Sequence, residues 1–191
     1  MCNYFTRHRE PRNLQAAFKF PELPNDPPRY VVRPTNTERV VAIGNDGGRH
    51  AIPMRWGLVP FWAKDIKTGL TLFNWRSEEV MAKRTFAEPF KRGRRWEQWH
   101  GPKDAPLPEP LLSFSIATTS PNKIAAPIHN RMPVLFTADA QWDAWLDPAA
   151  KSDDLMPLLT PAPDDLLEAR PVTRDLLRIK EPGPDVLRPT R

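Results

Sequence analysis

Cysteine is nearly absent from this chain: Cys2 is the single one among 191 residues. An internal disulfide is therefore excluded, and so are paired-cysteine metal and redox sites. Glycine is scarce, at 8 residues, and nowhere forms the phosphate-cradling loop of a nucleotide enzyme or the nucleophile elbow of a hydrolase. The four histidines, His8, His50, His100 and His129, lack the spacing of a zinc motif. No apolar run approaches the ~18 residues that a membrane span needs. The start of the chain carries His8, Arg9 and Glu10 where a secretory signal would be apolar, so the expectation is a cytosolic protein with no membrane partner.

Proline is abundant instead, at 24 residues, which favours turns and short strands over a helical bundle. The length suits one domain, 1–191, with a real hydrophobic core. A net charge of +5 and a pI near 9.6 favour an anionic partner, nucleic acid being the commonest, while a merely basic soluble surface gives the same figures. Along the chain, 13–20 predicts a short helix capped by Asn13. YVVRP and ERVVAIG read as strands, the second ending in the turn signal Asn45-Asp46-Gly47-Gly48, and HAIPMRW continues as a strand. A helix over 77–90 would be capped by Ser77, with Glu78 and Glu79 as first-turn acids. SFSIATTS at 113–120 alternates like one half-buried strand. Residues 138–147 form an amphipathic helix that turns Trp142 and Trp145 toward the core, and a last strand is expected near EARPVT. The pattern is α+β and β-rich.

Position sets Cys2 apart. Once Met1 is removed, Cys2 carries an α-amine and a thiol on adjacent carbons, a 1,2-aminothiol that condenses with aldehydes to a thiazolidine. Its amine titrates near ~7.7–8.0 and is partly neutral at cellular pH. The bland reading is a small buried hydrophobe.

Cys2 is the first of a series of motifs that run along nearly the whole chain. The MCN start is followed by Arg33-Pro34-Thr35, MRWGLVPFWAKD at 54–65, FNWRSEE at 73–79 and FKRGRR at 90–95. Then come WEQW at 96–99, SFSIATT at 113–119, PNKIAAPIHNRMPV at 121–134 and WDAWLD at 142–147. In these pieces and in their order the chain resembles the SRAP (SOS response-associated peptidase-like) family. The resemblance implies a mixed, barrel-like sheet with short helices, no metal or organic cofactor, and a monomer that is nucleoid-associated when bound to single-stranded DNA. It implies that Cys2 captures the ring-opened aldehyde of an abasic deoxyribose. Asn74 would bond the sugar or the new ring, and His129 would serve as general acid or base at the sugar oxygen. Arg76, Arg94 and Arg95 would meet phosphates, and Trp56, Trp62 and Pro34 would stack on bases or wedge the strand. Trp75 stands where the family has a small residue.

One block departs from the family. After the arginine pair the family continues with a second cysteine, a stretch containing an active-site glutamate, and two more strands; here Arg95 runs straight into Trp96. That glutamate also serves the autocatalytic release of Met1 in the resemblance, so self-processing is the activity most affected. The rival class is a non-crosslinking single-stranded-DNA-binding module in which Cys2 is idle. A cysteine hydrolase would need Cys2 and His129 within hydrogen-bond reach.

Overall fold

The computed structural model describes residues 3–23, 25–93, 96–180 and 182–190. Among these residues, three small sheets and four short α-helices make an α+β fold. β1 (Phe5–Arg7) pairs with β2 (Arg29–Val32), and between them lies α1 (Pro11–Phe18). Helix α1 starts two residues before the expected Asn13 cap, because Pro11 supplies the fixed φ suited to a first turn. The second sheet has the order β3 (Thr37–Ile43), β4 (Arg49–Trp56), β7 (Leu111–Phe114), β6 (Trp96–Trp99). The β3–β4 hairpin closes at the predicted turn, where Gly47 adopts φ 79°. The third sheet runs β5 (Asn74–Arg76), β8 (Ile116–Thr119), β9 (Met132–Pro133). No closed barrel forms among the described residues.

Three expected elements come out differently. SFSIATTS is two strands in two sheets: Gly57 N–H donates to Phe114 O on one side of Ser115, and Ile116 N–H donates to Phe73 O on the other. The break at Ser115 lets the chain change sheets, and burial along the segment does not alternate. The helix over 77–90 is a single tight turn at Ser77–Glu79, followed after an interruption by α2 (Arg84–Lys91). The interruption sinks Val80 into the core beside Trp75, Phe86 and Phe90. EARPVT joins no sheet among the described residues and is irregular; within it, Pro171 O accepts from Thr190 N–H. Trp142 and Trp145 do lie on α3 (Asp139–Leu146), half-buried, against Phe18 and against Phe90 and Phe136 respectively.

The main core gathers Leu58, Trp75, Val80, Phe86, Phe90, Leu155 and Leu159, the last two from α4 (Ser152–Leu155) and the turn after it. Trp75 belongs there by strand alternation: it points inward, while Asn74 and Arg76, its neighbours on β5, face the other way. The bulky residue at this family position therefore fills the core and leaves the opposite face unchanged.

Candidate functional site

Trp56 organises the region around the N-terminus. Its indole has no exposed surface, so it offers no face to a base and the expected stacking role is corrected to a structural one. Phe5, three residues after Cys2, packs on it at 5.2 Å between ring centroids. On its other side Phe73 meets it edge-on at 6.1 Å, and Nε1–H donates to Phe73 O at 2.7 Å. Phe73 directly precedes Asn74. One buried ring thus links the strand leading from Cys2 to the strand that opens with Asn74.

The same tryptophan holds the Arg33–Asn36 turn. Thr35 N–H donates to Trp56 O at 2.7 Å, and Trp56 N–H donates to Asn36 O at 2.8 Å. Arg33 N–H donates to the Asn36 side chain, and Asn36 N–H returns to Arg33 O. These four bonds keep Thr35 at φ 79°, a conformation that costs a β-branched residue about 1–2 kcal/mol. Pro34 sits half-buried in this turn. Gly57 follows Trp56 at φ 121°, where an added Cβ would come within 2.6 Å of Gly69 O. The close approach explains the glycine of RWGL.

Beyond Gly57 the chain forms a loop that is anchored at both ends and exposed between them. Val59 N–H donates to the buried Ser113 hydroxyl at 2.8 Å, and Trp99 Nε1–H donates to Ala63 O at 2.7 Å. Phe61 and Trp62, between these anchors, are each about half exposed, at 50% and 54%. The Arg92 guanidinium lies over the Phe61 ring at 5.7 Å. Two exposed aromatics on a fixed loop beside a cation form a platform suited to unstacked bases. Sequence patterns single out Trp62 and miss Phe61 and Arg92, although both lie inside the quoted motifs MRWGLVPFWAKD and FKRGRR.

The third sheet brings the FNWRSEE and IHNRMP segments together. Asn74 lies opposite Ile116, Arg76 opposite Thr118, and Thr118 in turn opposite Pro133. Across this sheet Arg131 reaches Glu78 with both guanidinium nitrogens, at 2.7 and 2.8 Å, and donates to Thr118 O at 2.5 Å. Thr118 Oγ1–H donates to Trp75 O, so the clamp is tied into β5 itself. Arg131 holds the Glu78 carboxyl down to about 2. Glu78, expected as a helix acid, is therefore the anchor of the histidine loop. His129 is exposed; its Nδ1 accepts from Arg131 N–H at 3.0 Å, which puts the ring proton on Nε2. Arg76 is 57% exposed and makes a long 3.5 Å contact with Glu79. Cys2, Arg94 and Arg95 lie outside the described residues.

A model of the family described as SOS response associated peptidase (SRAP) matches residues 1–95 and 94–179. The chain belongs to the SRAP family. Among SRAP relatives, the abasic site processing protein YoqW of Bacillus subtilis is 29% identical over 228 residues, covering 98% of this chain and 99% of its own. YoaM of the same organism, also named an abasic site processing protein, is 31% identical over 180 residues, covering 76% and 78%. The YoqW alignment exceeds the 191 residues of this chain, so at least 37 positions fall opposite gaps in it. The two stretches of the family match meet at 94 and 95, where the sequence pattern puts the missing block. A crystal structure from Bacteroides thetaiotaomicron superposes with a TM-score of 0.84 at 17% identity, covering all of both chains, and shares the fold.

Proposed function

We propose that this SRAP chain processes abasic sites in single-stranded DNA, capturing them as a covalent adduct of Cys2 after removal of Met1. Family membership over both halves of the chain, with Cys2 at its second position, is the observation that carries the reading. The relatives named above are abasic site processing proteins. The geometry is compatible: Phe5, three residues after Cys2 in the sequence, packs on Trp56, which meets Phe73 beside Asn74, and the Arg131–Glu78 clamp holds the His129 loop on the sheet that carries Asn74.

The chemistry conserves every atom. The neutral α-amine of Cys2 adds to the C1 aldehyde of the ring-opened deoxyribose, and loss of one water leaves an imine. The thiol sulfur then adds to the imine carbon, and its proton ends on nitrogen, closing the five-membered thiazolidine. Ring opening needs a proton moved at the sugar oxygen, a task suited to His129, while Asn74 orients the sugar by hydrogen bonding. Arg76 meets a flanking phosphate and Trp62 occupies the gap left by the lost base. A single general acid or base contributes about 10²–10⁴-fold, so a chain without the family's glutamate captures more slowly yet still captures.

Intact-protein mass spectrometry tests this directly. The purified chain is incubated with a single-stranded oligonucleotide carrying one abasic site. The expected species lacks Met1, gains the oligonucleotide mass less one water, and is missing with Cys2→Ala. Folded protein that has lost Met1 and forms no adduct would overturn capture and leave reversible DNA binding as the activity.

A further inference from the structure

The Glu78–Arg131 clamp holds the His129 ring from one side, and a second set of bonds holds its backbone. His129 N–H donates to Ala125 O at 2.9 Å. Ala125 is itself fixed, because its own N–H donates to the side-chain oxygen of Asn122 at 3.0 Å. Asn122 therefore sets the position of the carbonyl on which the histidine backbone hangs.

Asn122 is buried, at 7% exposure, where a polar side chain is costly unless it is bonded. Each of its polar groups has a partner. Its N–H donates to Met132 Sδ at 3.3 Å, its carbonyl accepts from Ala126 N–H at 2.9 Å, and its Nδ2 donates to Ala162 O and Pro163 O, each at 3.2 Å. Those two carbonyls lie 40 and 41 residues further along the chain. They belong to a stiff segment, Thr160-Pro161-Ala162-Pro163, in which each proline fixes its own φ and keeps the residue before it extended. Leu159 and Ala162 bury this segment, and Asp164, which follows it, accepts from Lys123 N–H at 2.8 Å. An amide is the side chain that accepts on one side while donating two hydrogens on the other.

We infer that Asn122 is a positioning residue for His129, and that the proline-stiffened segment 159–164 is the fixed point from which it acts. The inference rests on the proposed role of His129 in moving a proton at the sugar oxygen, and deepens it. One anchor does not place an imidazole. Arg131 N–H selects the tautomer with its proton on Nε2, and the Ala125 carbonyl holds the histidine backbone where Nδ1 can meet that N–H. With the backbone released, the bond to Arg131 loosens, both tautomers are populated, and Nε2 no longer stands at one place within reach of the sugar.

Two variants of the full chain test this. Asn122→Ala removes the link itself, and Asp164→Ala, at a side chain 41% exposed, loosens the same junction at Lys123 with little burden on the fold. Long-range proton–nitrogen NMR, at a pH where the ring is neutral, reads the tautomer without DNA: the parent should carry the His129 proton on Nε2 alone, and the folded variants should show a mixture. Capture of an abasic site in an oligonucleotide, whose sugar must open, should slow about ten-fold or more in Asn122→Ala, inside the ~10²–10⁴-fold worth of one acid or base. Capture of acetaldehyde, which has no ring to open, should keep the parent's rate. In a His129→Ala background Asn122→Ala should cost nothing further, since both act through one group. A single Nε2–H tautomer retained in the folded variants would overturn the inference, as would equal slowing with acetaldehyde or a full further loss on top of His129→Ala. A parent that captures no abasic site would instead overturn the proposed function, and the tautomer spectra would then decide the role of Asn122 alone.

Discussion

At the scale of single residues, the two tryptophans of the MRWGLVPFW motif separate by environment. Trp56 is wholly enclosed by Phe5, Phe73 and the Arg33–Asn36 turn, whereas Trp62 has half its surface in solvent. Removing an enclosed indole deletes its transfer free energy and leaves a cavity, so Trp56→Ala should lose about 3–5 kcal/mol in urea unfolding. Trp62→Ala should stay within about 0.5 kcal/mol of the parent in the same measurement. In DNA binding the order reverses: Trp62→Ala should weaken affinity for a single-stranded oligonucleotide by about 1–3 kcal/mol, the worth of one stacked base. If Trp62→Ala unfolds the protein or binds undiminished, the exposed platform has been misassigned. Sequence supplies both tryptophans as candidates and does not rank them, because burial of an indole depends on which strands converge on it.

At the scale of elements, the clamp between the turn after β5 and Arg131, the residue just before β9, is what sequence patterns miss. Glu78 is legible as an acid at a helix start, and its residue type is right for that role; its partner lies 53 positions away and local patterns carry no sign of it. The clamp leaves a signature in pH. Glu78 is lowered from 4.5 to about 2 by Arg131, so its contribution is fully present above the unfolded value and is lost as pH falls through the folded one. The Glu78 side chain is 52% exposed, and solvent screening limits the pair to about 1 kcal/mol. Glu78→Gln should therefore cost about that much near neutrality and almost nothing at pH 2, when urea midpoints of parent and variant are compared. Equal losses at both pH values would mean that the carboxylate charge plays no part. The strands are more legible than the clamp: β2, β3 and β4 fall where Val and Ile cluster between turn residues, whereas β6, the short WEQW segment, carries no such run. SFSIATTS shows the limit, since alternation of residue types is silent about the break at Ser115 and about which sheet receives each half.

At the scale of the whole molecule, charge and aromatic platform should act on DNA in distinguishable ways. A chain of +5 net charge gathers phosphates nonspecifically, and each phosphate neutralised releases counterions, giving a slope of about −0.7 per contact in log affinity against log salt for single strands. Arg76 stands exposed beside the Asn74 face, with Glu79 at 3.5 Å as a weak competitor. Arg76→Ala should then lower affinity for abasic and intact single strands alike and make the salt slope shallower by about 0.7. Trp62→Ala should shift the line downward and leave its slope unaltered, because stacking releases no counterions. Titrations of the full chain at four or five salt concentrations distinguish these effects. An Arg76→Ala slope equal to the parent's would remove this arginine from the phosphate track and pass the role to other basic residues, Arg92 above Phe61 first among those described.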